Sequence, residues 1–306
     1  MSSVGFWREL RQDPRAINLQ GFGQLQRAWY LFPQGGGPRG SFTSFEQLRS
    51  NLRSKDVIIL GGVLREQAVA PSGVYDVTIV GAAGIPRQAT DGGVPTGGGA
   101  TWMAPASGAV ATTPLLEIVR QGWAIENVLF NPHTSSAAVR LTTSGGLNEA
   151  GQFAMRGCTI LGGGTGQIGV EDNGGSGFCV IEDCIFQLLT GTALLGLSTA
   201  NAVPLSWAIR NNVFRQNTND VKMSLSYGLI EKNKFMTAGS GGTNKVISTK
   251  AVAGQGDNNM VLLNHFVNVA ATIKNNAGFD GGAADVWANY AQETAALIVE
   301  SPPAAS

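Results

Sequence analysis

One spacing limits this chain more than any other feature. Six segments share a pattern: an apolar residue, two variable residues, a small or polar residue, one further residue, then an apolar residue. They are Ile125–Phe130, Met155–Ile160, Ile181–Phe186, Ile209–Phe214, Ile230–Phe235 and Val261–Phe266. Their terminal apolar positions lie 30, 26, 28, 21 and 31 residues apart. Helical repeats of that length need long stretches of 3.6-residue periodicity, which are absent here, and propeller blades need about 40 residues each. Short strands joined by glycine turns in a coil of roughly 20–30 residues fit a parallel β-helix, each coil rising by one strand spacing, ~4.8 Å. The predicted fold is therefore all-β: a right-handed parallel β-helix of about eight or nine coils. Its core is built of isoleucine and phenylalanine stacked on their own kind.

The fourth position of the pattern reads Val128, Cys158, Cys184, Asn212, Asn233 and Asn264. Asparagines stacked at a corner hydrogen-bond along the axis as a ladder and tolerate the left-handed backbone of sharp turns. Asn212, Asn233 and Asn264 are expected to be structural turn residues, with Cys158 and Cys184 as small buried fillers of the same ladder. The second position carries Glu126, Arg156, Glu182, Arg210 and Glu231. Charges that alternate in sign on adjacent strands predict an outward salt-bridge ladder.

Composition is consistent with this fold. Hydrophobic residues reach 43%, which excludes a disordered chain. The 42 glycines follow no G-X-Y period, so collagen is excluded. Many fall in turn signals such as GLNEAG, LGGGTGQ, EDNGGSG and GSGGTN. The segment 84–112, with GGVPTGGGATW, is too long for a turn and reads as a projecting loop. No apolar run is long enough for a membrane helix, so no membrane insertion is expected, and MSSVGFWREL has no apolar signal core. Three cysteines without a signal fit a reducing compartment and no disulfide framework. Two histidines, His133 and His265, lie far apart and no Cys-x-x-Cys occurs, so no metal or other cofactor is expected.

The ends depart from the repeat. Thr43-Ser-Phe-Glu46 reads as a capping box, and Phe45, Leu48 and Leu52 follow on one helical face. The expected organisation is an N-terminal arm at 1–42, a capping helix at 43–56, the β-helix at 57–284 and a C-terminal cap and tail at 285–306. Residues 1–56 carry eight basic and four acidic side chains against 13 and 17 in the remainder. That positive charge is too diffuse for nucleic acid. With the aromatics of the arm, it suggests a docking segment in which Phe6, Trp7, Arg8, Arg11, Arg15, Trp29 and Tyr30 anchor the chain to a partner.

The segment SFTSFEQLRS, with DVIILGGVLREQ and VYDVTIVGAAGIPR after it, resembles the first coils of the pectate-lyase-like right-handed β-helix superfamily, above all its phage members. The resemblance covers about residues 42–275. It implies a virion-surface protein, assembled in the host cytoplasm as a homotrimer and attached to other virion proteins such as the major capsid or tail proteins. A host surface glycan is a further partner. The catalytic motifs of the superfamily do not carry over. The W-I-D-H region of the lyases is absent, and Asn217-Thr-Asn-Asp220 only approximates one of three hydrolase segments. No phosphate loop or serine elbow occurs either. The expectation is thus a non-enzymatic decoration, head fibre or tail appendage. The alternatives are a tailspike-type polysaccharide depolymerase using Glu182, Asp183 and Asp220, or a receptor-binding adhesin. Glu171 and Asp172 are expected in a solvated turn. Trp102, Trp123 and Trp207 are expected in core or interface packing rather than on a sugar.

Overall fold

The computed structural model describes residues 27–82, 99–142, 150–196, 204–236, 247–248, 259–267, 284–287 and 290–292. These residues form three all-parallel sheets of ten, nine and seven strands. The chain visits the sheets in rotation. It runs along Ala124–Glu126 in the first, Leu129–Asn131 in the second and Ala137–Thr142 in the third, and returns to the first at Ala154–Arg156. Strands one coil apart are hydrogen-bonded neighbours, so each sheet climbs the axis one coil at a time. Right-handed parallel crossovers repeated in this way give a right-handed parallel β-helix.

Most strands are only three residues long, so a single side chain per strand faces inward. In the first sheet these are Ile79, Ile125, Met155, Ile181, Ile209, Ile230 and Val261, all buried. In the second they are Leu64, Trp102, Phe130, Ile160, Phe186, Phe214, Phe235 and Phe266. The coil rise sets the ring spacing. Phe186, Phe214, Phe235 and Phe266 stack at 5.0, 4.9 and 5.0 Å between centroids, tilted by 9°, 8° and 12°. Trp102, Trp123 and Trp207 are buried, and their indole N–H groups donate to the carbonyls of Glu66, Val74 and Ser176.

The corner between the first and second sheets holds the polar ladder. Asn212, Asn233 and Asn264 are buried. Asn233 Oδ1 accepts from Asn212 N and Nδ2, both at 3.0 Å, and Asn264 Oδ1 accepts the same pair from Asn233. Each side-chain amide also donates to a carbonyl of the preceding coil: Ile181, Ile209 and Ile230. Cys158 and Cys184 continue the column, their thiols pointing at the carbonyls of Ile125 and Met155. Burial pushes the Cys184 thiol well up. The left-handed backbone falls one residue earlier than the sequence suggested. Asn127, Gly157, Asp183, Asn211, Lys232 and Leu263 have φ between 54° and 57°, which frees the ladder residue to point inward.

A helix, Phe45–Arg49, covers the N-terminal end of the core, with Phe45 and Leu48 buried and Phe45 packed on Trp102 at 5.6 Å. Its N-cap is Ser44, whose hydroxyl accepts from Gln47 N at 3.2 Å. The frame is thus Ser44–Gln47, one residue on from Thr43–Glu46; Glu46 pairs instead with Arg49 at 3.4 Å.

The end of the expected arm is part of the stack. Ala28–Leu31 is a strand paired in register with Val57–Leu60. Asp56, buried, accepts from Arg27 Nε at 3.0 Å, Arg27 NH2 at 2.7 Å, Trp29 Nε1 at 2.7 Å and Arg53 N at 2.8 Å. Trp29 sits edge-on to Phe42, and Tyr30 packs beside Phe32 over Val57, Ile59 and Val80. These contacts tie Trp29 and Tyr30 to their own coil, and both keep a partly exposed surface. Phe6, Trp7, Arg8, Arg11 and Arg15 lie outside the described residues.

Candidate functional site

The acidic residues singled out by sequence do not converge. Glu182 lies on the outer face of the first sheet between Arg156 at 3.4 Å and Arg210 at 2.9 Å. Arg156 also reaches Glu126 at 3.9 Å, so this column satisfies itself. Asp183 is exposed at a left-handed turn. Asp220 is buried inside the third sheet, where Asn217 Nδ2 donates to it at 2.9 Å and its Oδ2 has no partner. Burial pushes its carboxyl up to about 7, against the opposing pull of Asn217. An inward carboxyl of this kind faces away from a polymer lying outside the sheet.

Glu171 and Asp172 also depart from expectation. Both belong to the strand Ile168–Asn173 rather than to a solvated turn. Asp172 points inward and accepts from Ser176 N at 2.9 and 3.1 Å and Ser176 Oγ at 3.0 Å. Burial, partly offset by those bonds, raises its carboxyl to about 6. Glu171 points outward.

On that outward face a cluster forms that the sequence reading did not isolate. Glu117, Arg140 and Glu171 are register partners on three successive strands. Arg140 Nε donates to Glu171 Oε2 at 2.6 Å, and both side chains are less than 20% exposed. Arg140 NH2 donates to Ser136 Oγ at 2.9 Å, and both terminal nitrogens reach Thr112 O at 3.3 Å. Glu117 Oε1 accepts from the Thr142 hydroxyl at 2.8 Å. The two carboxylate residues are two strand spacings apart, ~9.6 Å along the backbone. A signal for this column was present in the triplets Leu116-Glu-Ile, Val139-Arg-Leu, Val170-Glu-Asp and Val221-Lys-Met, which repeat one strand beyond the main pattern.

No family model matches the sequence, and no curated protein matches it either. Solved structures do match the fold. The crystal structure of an alginate lyase from Paenibacillus sp. str. FPU-7 superposes with a TM-score of 0.50 and 14% identity, over 88% of this chain and 99% of that one. Escherichia coli YbhC superposes with a TM-score of 0.46 and 10% identity, over 89% of this chain and 85% of that one. The chain has a right-handed parallel β-helix fold. The first comparison also corrects the expectation of a non-enzymatic chain: the structure matched over 88% of it is that of an alginate lyase.

Proposed function

We propose that the chain is a polysaccharide depolymerase that acts on the outward face of the third sheet. The observation that carries this is the column Glu117–Arg140–Glu171. Two carboxylate residues on one rigid face stand ~9.6 Å apart along the backbone, just beyond the ~6.5–9.5 Å between the carboxyl groups of inverting glycosidases, and side chains can lean to close the gap. Glu171, with its guanidinium partner, suits the base that takes a proton from the attacking water. Glu117, whose partner is a hydroxyl, suits the acid that protonates the glycosidic oxygen as the bond to the anomeric carbon breaks. Arg140 positions Glu171, and the Thr142 hydroxyl positions Glu117. The likeness to an alginate lyase supports polysaccharide as the substrate class, and the resemblance of residues 42–275 to phage β-helix proteins favours a tailspike-type setting.

The test is a screen for new reducing ends on alginate, pectin and purified bacterial surface polysaccharides, with NMR of the first product formed. Hydrolysis with inversion at the anomeric carbon is expected. A product with an unsaturated uronate end would replace hydrolysis by elimination, and no product from any polymer would remove the proposal.

A further inference from the structure

The turn that leads from the third sheet back into the first holds a second column. Asp76, Gly122, Gln152, Phe178, Ser206 and Tyr227 each stand three residues before an inward residue of the first sheet, and all have positive φ, from 54° to 78°. Bridges between Gly177, Leu205 and Ser226 fix Phe178, Ser206 and Tyr227 in one register, and Gln152 N donates to Gly177 O of the next coil. Glycine and short polar residues suit a left-handed turn, whereas a bulky aromatic residue there is strained. The core does not explain the exception, because Phe178 is 63% and Tyr227 64% exposed.

The order along the axis is Gln152, Phe178, Ser206, Tyr227: polar and aromatic in alternation, one per coil. The two rings therefore repeat every second coil, ~9.6 Å, roughly the length of two sugar units. Beside them runs an outward apolar column of Ala154, Val180, Ala208, Leu229 and Met260. The next column outward is the charged ladder, whose arginines are taken up by Glu126 and Glu182.

We propose that this face is a binding platform for an extended, neutral glycan lying along the helix axis, distinct from the third-sheet cluster. Phe178 and Tyr227 stack on the C–H faces of alternate sugars, and Gln152 and Ser206 meet hydroxyls of the sugars between. A charged polymer would find no cation to spare in the adjacent ladder. A second copy of the chain fits less well. The apolar strip spans five strands and is two columns wide, under ~200 Å², against the ~800 Å² each partner of a stable protein interface buries.

Calorimetric titration of the full chain with cellohexaose and xylohexaose tests this, with an alginate hexasaccharide as the charged control. At least one neutral hexamer should bind more tightly than the control. Phe178→Asn and Tyr227→Asn should each weaken binding about tenfold, the effect of losing one stacking ring. The double variant should abolish it. Asparagine accepts the left-handed backbone, so the thermal midpoint should hold or rise. Glu171→Gln should leave binding intact, which separates failure of this site from failure of the cleavage site. No binding of either neutral hexamer would overturn the proposal, as would a double variant that binds like wild type. So would sedimentation in which the wild type self-associates and the double variant does not.

Discussion

At the residue scale, two buried polar side chains stand in contrast: Asn233, held in the corner ladder, and Asp220, whose Oδ2 has no hydrogen-bond partner. The Asn233 side chain makes four ladder bonds, so Asn233→Ala takes the acceptor from Asn212 N and the amide donor from the Ile209 carbonyl in a dry corner, while Asn264 Oδ1 keeps only the backbone N–H of residue 233. At about 1–3 kcal/mol for an unsatisfied buried group, the variant should lose roughly 2–5 kcal/mol in denaturant melts. Asp220 is the opposite case. Its carboxyl holds a proton in the folded chain up to about pH 7, whereas an ordinary carboxyl of 3.8 releases it near pH 4. The stability that this group contributes is therefore complete below about pH 4 and is lost as pH rises through about 7. Asp172 adds the same sign of dependence up to about 6. Asp220→Asn should raise the melting temperature at pH 8 and lose that advantage by pH 4. An equal effect at both values would contradict the assigned burial cost. The ladder was legible because its members sit at a fixed place in the repeat. Asp220 was not, because the Asn-Thr-Asn-Asp motif does not say which way its last carboxylate points.

At the element scale, a three-residue strand is too short to be stable alone, and register with its neighbours supplies the order. The phenylalanine stack is the clearest case. Phe214 lies between Phe186 and Phe235 at 5.0 and 4.9 Å, so Phe214→Ala removes two ring contacts and leaves a cavity. A loss of ~3–5 kcal/mol is expected, whereas Phe214→Leu should cost well under that. The N-terminal strand is tied down by the Asp56 carboxylate as well as by its ladder with Val57–Leu60. Asp56→Ala would leave Arg27 and Trp29 without their acceptor and should release Ala28–Leu31 from the first sheet. Faster amide exchange over those residues, with the later coils still protected, is the expected readout. That strand escaped sequence reading because it lies outside the repeat period. The third-sheet strands were equally hard to place, because the turns before and after them vary in length and blur the spacing.

At the scale of the whole molecule, the fold offers long flat faces on which a polymer meets the same chemistry every ~4.8 Å. The three outer faces differ in what they leave available. The charged column of the first sheet pairs within itself, and the turn column beside it exposes two rings. The third sheet brings two carboxylates and an arginine together. The sequence led to the architecture directly, since one inward residue per strand dictates both the spacing and the stacking. Glu182 and Asp183 stand out in the repeat, while Glu117 and Glu171, on which the proposed reaction rests, belong to a column visible only once the third sheet is placed. The most direct measurement is release of reducing ends from a polysaccharide by the wild type and by Glu171→Gln. We expect turnover by the wild type and at least a hundredfold loss in the variant, with the fold kept and the melting temperature lowered by the lost pairing with Arg140. Turnover by Glu171→Gln at the wild-type rate would contradict the placement of the reaction on this face.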